Sequence, residues 1–323
     1  MPQEVAIVAE ATRQWPRRRR TSTRRRVARG SVPYLLLLPV VLTVGAVLGY
    51  PIYQLVGISF QHYGLFELIR HKGTPAGLAN YSSIFHDQVF WHTLLRTVIF
   101  TAVNVGLTIV LGTLIALLAV RVSRSVRIVL TSTLVLVWSM PIVVAVQVWY
   151  WITNYENGIL NYVLTQLHLG NYYQHDWYAT PFSQLSIVTA VIVWGAIPFV
   201  AITVYAALAQ VPRELVEAAE IDGARPWRVF FDVTFPILKP VLLILTSLSI
   251  IWDFAVFTQP FLLIGQSKLT PGNFLMGVYL FEEGYLKTDF GRGAAISIVM
   301  LLIVALLSVF YVRRMVKIGE ATQ

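Results

Sequence analysis

The chain has 323 residues, 56% of them hydrophobic and only 13% charged, with a mean hydropathy of +0.66 and a net charge of +9. Soluble domains carry roughly 25% charged residues, so an ordinary water-soluble fold is excluded. With no cysteine, disulfides, thiolate metal sites and cysteine nucleophiles are excluded as well.

Residues 1–30 are polar and Arg-rich and read as a disordered cytoplasmic tail. Its run Arg17–Arg20 with Arg24–Arg26 suits a topology anchor over anionic lipid better than a nucleic-acid surface. Ser31 to Phe66 carries no charge and far exceeds the roughly 7–15-residue core of a signal peptide. It predicts a first span at 33–58. In the loop that follows, "GLANYSSIF" (Gly77–Phe85) reads as a turn into a short amphipathic piece, and His86 and His92 near Asp87 read as solvated loop residues. The second span is expected at 95–120, and the basic turn "RVSRSVR" (Arg121–Arg127) returns the chain into a third at 128–152, kinked at Pro141. A loop rich in Tyr, Asn, Gln and His leads to span four at 185–208. Span five is expected at 240–264 and span six at 292–312, with 316–323 as a short cytoplasmic tail.

A helix needs about 20 apolar residues to cross roughly 30 Å of hydrocarbon, and each of the six runs has them. The expectation is an all-α membrane protein with one transmembrane domain over 31–315. Lys and Arg crowd into 1–30, 121–127, 209–240 and 313–323, while the alternate segments hold only Arg70, Lys72, Arg96, Lys268, Lys287 and Arg292. That asymmetry places both termini in the cytoplasm.

Between spans four and five lies "RELVEAAEIDGARPWRVFFDVTFPILKP" (Arg213–Pro240), a charged interval in an apolar chain. Pro212 suits a first helical turn, Gly223 suits a left-handed helix end, and Pro226 suits the start of a second short helix. Trp227, Phe230, Phe231 and Thr234 recur at helical spacing there. Phe235–Pro236 and Lys239–Pro240 are expected to stop that helix, giving a helix–Gly–helix elbow over 212–236. No G-x-x-x-x-G-K-[ST] motif occurs and no Lys follows a Gly, so the chain cradles no nucleotide phosphates itself. The spans contain one acid, Asp253, within "SIIWDFAVFTQPF" (Ser249–Phe261). An acid inside the membrane costs about 2.5–3.5 kcal/mol and so points to function, although hydrogen bonding to a neighbouring helix is the plainer alternative.

The string E-A-A-x-x-D-G-A (Glu217, Ala218, Ala219, Asp222, Gly223, Ala224), with Phe230, Pro236 and Pro240 downstream, closely resembles the cytoplasmic signature of binding-protein-dependent ABC importer permeases. "GLANY", "GILNYVL" (Gly158–Leu164) and "DFGRGAAISI" (Asp289–Ile298) resemble the carbohydrate-uptake, maltose-type branch. Phe235 stands where that family usually has Leu, and "IGQSKLTPGN" stands where it usually has a T-x-G-G-P turn.

The resemblance implies the six-helix type I ABC importer permease fold, with the elbow as a coupling helix that seats in a partner ATPase. It implies a second homologous permease, two ATPase subunits that use Mg-ATP, and an extracytoplasmic solute-binding protein. It further implies a bacterial cell-membrane location, no cofactor on this chain and no covalent chemistry. Trp252, Asp253, Phe254 and Phe257 become the expected cargo path, with a neutral di- or oligosaccharide as cargo. The alternatives are an ion-coupled secondary transporter, or a permease for a solute such as glycerol phosphate; no Lys or Arg lies deep in the spans to hold a phosphate.

Overall fold

The computed structural model describes residues 23–265 and 268–321. The expected disordered tail lies outside these for residues 1–22; from Thr23 onward the chain is already helical. Helix α1 (Thr23–Val44) passes through a π-turn (Gly45–Gly49) into α2 (Tyr50–Ser59). Its apolar side chains from Tyr34 to Val56 are largely exposed, as suits a lipid-facing helix.

The segment from Leu55 onward forms a second compact unit. A two-residue antiparallel pair, β1 (Gln61–His62) and β2 (Thr74–Pro75), brackets the short helix α3 (Leu65–Arg70). Gly77 turns the chain with φ +54° into α4 (Ala79–His86). Asn80 buries its amide and donates to the carbonyls of Ser59 and Gln61, both at 2.9 Å, which ties α4 to the end of α2. Helix α5 (Gln88–Arg121) starts where Asp87 accepts the backbone N–H of Val89 at 2.8 Å, a side-chain cap for an otherwise orphan donor. Helix α9 (Pro181–Leu208) starts likewise, with Thr180 accepting from Ser183.

Between them, α6 (Arg124–Ser139) and α7 (Ile142–Ile152) are the two halves of span three. They meet at 103° rather than at a mild kink. Met140 (ψ 126°) and Pro141 (ψ 133°) are both extended, because a proline disfavours helical backbone in the residue before it. Helix α8 (Ile159–Gln166) lies in the loop after α7. Four helices besides α1–α2 are long and apolar enough to cross a membrane: 88–121, 181–208, 226–254 and 290–314. Counted as one broken span, the bent pair makes a sixth.

The most extensive helix contact is between α5 and α9. Gly112 permits it: a Cβ there would lie 2.6 Å from Val200 Cγ1 and 3.3 Å from the Ala201 nitrogen. Along the same helix Thr93, Thr97, Thr101, Asn104 and Thr108 are buried, a polar seam of the kind that joins helices in lipid.

One expectation about the second arm of the elbow requires correction. Phe235–Pro236 and Lys239–Pro240 do not stop it. From α10 (Arg213–Ile221) the chain turns into α11 (Pro226–Arg228), continues through a π-turn (Val229–Thr234) and enters α12 (Phe235–Phe254) without leaving helical geometry. The Phe235 N–H reaches back to the Phe230 carbonyl, a wider turn that absorbs the missing proline donor. The buried positions of this arm are Val229, Thr234 and Leu238, while Trp227 and Phe231 are exposed. Span five also ends early, at Phe254; α13 (Thr258–Ile264) follows after a break. Helix α14 (Met276–Phe281), a π-turn (Glu282–Leu286) and α15 (Phe290–Ala321) complete the chain. Helix α15 extends through most of the expected C-terminal tail.

Candidate functional site

At one end of the bundle stands the elbow. Helix α10 buries none of its residues; Leu215 is exposed and Ile221 is 86% exposed. Gly223 ends it with φ +79°, its N–H donating to the Glu220 carbonyl and that of Ala224 to the Ala219 carbonyl, both at 3.0 Å. These bonds satisfy helix-end carbonyls in the way a left-handed glycine allows. Among the described residues, Arg213, Glu214, Glu217, Glu220, Asp222, Arg225 and Arg228 form no ion pair; the four that occur join other residues. Val216 and Ala219 are half-buried, while Leu215, Ile221 and the unpaired charges are presented to the outside. Behind it, a cavity of about 650 Å³ opens among Arg121, Arg127, Tyr205, Glu217, Glu220 and Phe230. Arg127 closes the basic turn by donating to the carbonyls of Ala119 (2.7 Å), Val120 (3.2 Å) and Val122 (3.1 Å).

Midway along the bundle, at the α6–α7 break, a second cavity of about 430 Å³ is lined by Trp138, Trp194, Trp252, Asp253, Phe257 and Gln259, among others. Trp138 stacks on Phe199 at 5.2 Å, and Trp252 closes the group at 5.5 Å from Phe199 and 6.2 Å from Trp138. Asp253 is 7% exposed, and among the described residues its carboxyl makes no side-chain hydrogen bond. Its oxygens open onto the cavity, where water or a polar ligand supplies the donor that the protein does not.

The expected path residues divide. Trp252, Asp253 and Phe257 line the cavity, whereas Phe254 is turned into the core with Phe90, Phe274 and Tyr279. Trp138, Trp194 and Gln259 were not legible as partners of Asp253. Gln259 lies within the Ser249–Phe261 segment already singled out, and Trp138 precedes the break at Met140–Pro141 by two residues; Trp194 carries no comparable signal.

The far end is held by loop contacts. Arg96, at the start of span two, donates to the carbonyls of Pro271 (3.1 Å) and Phe274 (2.8 Å). Asn273 donates to Gln184 Oε1 at 2.6 Å and to the Lys268 carbonyl at 2.8 Å. Asp87 accepts from Tyr279 Oη (2.9 Å) and from Arg292, which also pairs with Glu283 at 3.1 Å. Burial alone would raise the Asp87 carboxyl, but the Tyr279 and Val89 hydrogen bonds and the Arg292 charge outweigh it and hold its pKa below the ordinary value. Asp87 is thereby committed to structure, and His86 Nδ1 to the Ser82 carbonyl at 2.8 Å.

Residues 108–317 match the family described as binding-protein-dependent transport system inner membrane component. The chain is 40% identical over 290 residues to the diacetylchitobiose uptake system permease protein DasB of Streptomyces coelicolor, covering 89% of this chain and 88% of that one. It is 30% identical over 288 residues to the trehalose/maltose transport system permease protein MalF of Thermococcus litoralis, covering 87% and 92%. Among solved structures, a chain of a bacterial ABC transporter that imports alginate superposes with a TM-score of 0.75 at 18% identity, over 91% of this chain and 98% of that one.

Proposed function

The chain belongs to the family of binding-protein-dependent transport-system inner-membrane components, and on that premise we propose that its cargo is a neutral di- or oligosaccharide passing beside Asp253. The protein is a multi-pass membrane permease subunit of an ATP-driven ABC importer and performs no catalysis itself. The observation that carries the cargo reading is the buried Asp253 carboxyl facing a cavity walled by three indoles. Sugar hydroxyls bring the donors it lacks, and indole faces suit the apolar faces of pyranose rings. No Lys or Arg lines this cavity, which disfavours a phosphorylated cargo such as glycerol phosphate. The relatives named for diacetylchitobiose and for trehalose and maltose support a sugar.

The elbow residues Glu217, Ala218, Ala219, Asp222, Gly223 and Ala224 are read as the coupling helix. They seat in a partner ATPase that hydrolyses Mg-ATP, on the cytoplasmic side of a bacterial inner membrane with both termini inside. The remaining partners are a second ATPase subunit, a similar permease forming a heterodimer, and a solute-binding protein on the outer face. Alternating access follows from the continuity of the second arm: from Phe230 to Asp253 the helix runs about 35 Å. Closure of the ATPase pair then displaces one end of a lever whose other end carries the Asp253 carboxyl. In an ion-coupled carrier the unpaired charges of α10 would have no partner to meet.

The test is Asp253→Ala in the assembled importer. A hydrogen bond contributes about 0.5–1.5 kcal/mol to a neutral group and about 1.5–3 kcal/mol to a charged one, so sugar uptake should fall between roughly threefold and a hundredfold while assembly and basal ATP hydrolysis persist. Loss of complex yield with normal transport per complex would show the acid to be structural.

A further inference from the structure

A third cavity, of about 360 Å³, lies beyond the Asp253 cavity toward the loop end of the bundle, against the same two helices. Helix α7 packs on α13. Ile142 and Ala145 face the Asp253 cavity, whereas Gln147, Tyr150 and Asn154 line the outer one. On a helix rising 1.5 Å per residue the two centres stand about 10 Å apart. That separation exceeds one sugar ring and is comparable with a short oligosaccharide.

The outer lining is polar and aromatic, and much of its hydrogen-bonding capacity is unspent. Among the described residues, the Gln147 amide and the hydroxyls of Tyr150 and Tyr155 make no side-chain hydrogen bond. Asn154 uses its Oδ1 to accept the N–H groups of Glu156 (2.9 Å) and Asn157 (3.1 Å), which leaves its NH₂ available. Asp176 accepts the Tyr178 N–H at 2.8 Å through Oδ1, while its Oδ2 stands 3.6 Å from Lys268 Nζ. That pair is half exposed and too long for a hydrogen bond, so a hydroxyl can bridge it. Tyr150 and Tyr178 lie 6.0 Å apart between ring centroids and tilted by 36°, and Tyr178 is locked by its hydroxyl on Thr153 at 2.8 Å. Planar amides, a carboxylate and fixed phenol faces form a donor–acceptor set for a polyhydroxylated ring, and an apolar or singly charged cargo would leave most of it unused.

We propose that this outer cavity is a second saccharide station, which takes the trailing ring of an oligosaccharide whose leading ring lies against Asp253 and the indoles. The inference rests on the cargo reading above. It adds that selectivity for chain length is set in the permease: cargo spanning both stations is held at two points, and a single ring at one.

Because the chain has no native cysteine, single-cysteine variants test the two stations separately. Gln259→Cys reports on the Asp253 cavity and Gln147→Cys on the outer one; Asn154→Cys substitutes for the latter if assembly fails. The importer, with its ATPase and binding protein, is reconstituted in proteoliposomes. Labelling by an impermeant maleimide is then timed with chito-oligosaccharides and maltodextrins of one, two and four rings. The expected result is at least fivefold protection of Gln147→Cys by a four-ring saccharide and none by a single ring, with Gln259→Cys protected by the two-ring sugar. Protection at position 259 without any at 147 would overturn the outer station and leave the cargo reading standing. Protection at 147 by sugar-free binding protein would overturn it too, by making this a docking surface. Absence of protection at both positions with both series would refute both readings together.

Discussion

Gly223→Val tests the elbow at its least replaceable position. The backbone there has φ +79°, and a Cβ would meet nothing within 4 Å, so a side chain does not clash and the cost is conformational. An L-residue in the left-handed region loses about 1–2 kcal/mol, and a β-branched one stands at the upper end or beyond. Helix α10 buries no residue against its own bundle, so no local packing offsets that strain. A cost of one to two kcal/mol reduces the population of correctly angled elbows by a factor of roughly 5–30. Asparagine tolerates left-handed backbone far better, so Gly223→Asn should recover most of the loss, and Gly223→Ala should fall between. The assay is co-purification of the ATPase subunit with tagged permease, followed by ATP hydrolysis with and without loaded binding protein. Membrane insertion should be unchanged in all three variants. If valine and asparagine behave alike, or both retain wild-type coupling, the angle at Gly223 does not set the docking geometry and the elbow is only a connector.

Other expectations follow from the packing and the charges. Gly112→Leu places carbon where Val200 Cγ1 and the Ala201 nitrogen already stand, and overpacking costs about 1–3 kcal/mol; thermal unfolding in detergent should come at lower temperature, and Gly112→Ala with Val200→Ala should recover much of it. Asp87 titrates below its unfolded value of about 3.9, so the stability it contributes is fully present above that pH and lost as pH falls through the folded value. Unfolding followed from neutral pH into that acid range should show the loss, and Asp87→Asn should flatten it; an unchanged acid slope would contradict the role of the Arg292 and Tyr279 contacts. For topology, a cysteine at position 217 should resist impermeant reagent applied to whole cells, and labelling there from outside would reverse the proposed orientation.

What the linear chain determines is what depends on local chemistry and on the thickness of the bilayer. Six long apolar runs, five of them uncharged, must become helices, because lipid offers no partner for an open backbone. Arg213–Ala224 must bend at Gly223, because only glycine occupies that conformation without strain. Both readings are local, and the helices at 88–121, 181–208 and 290–314 and the φ of Gly223 agree with them. Where tertiary packing intervenes, local signals fall short. Pro141 announces a break in span three but not its 103° angle, with the first half packed on α9 and the second on α13. Pro236 and Pro240 looked like stops and became helix interior, because a π-turn upstream accommodates the missing donor. Asp253 and Phe254 are adjacent in sequence, yet one lines a cavity and the other fills the core. That difference comes from the rotation of α12 against its neighbours, as does the meeting of Trp252 with Trp138 from a distant span. Such contacts are products of helix packing, which a helix's own residues constrain only to a face and never to a partner.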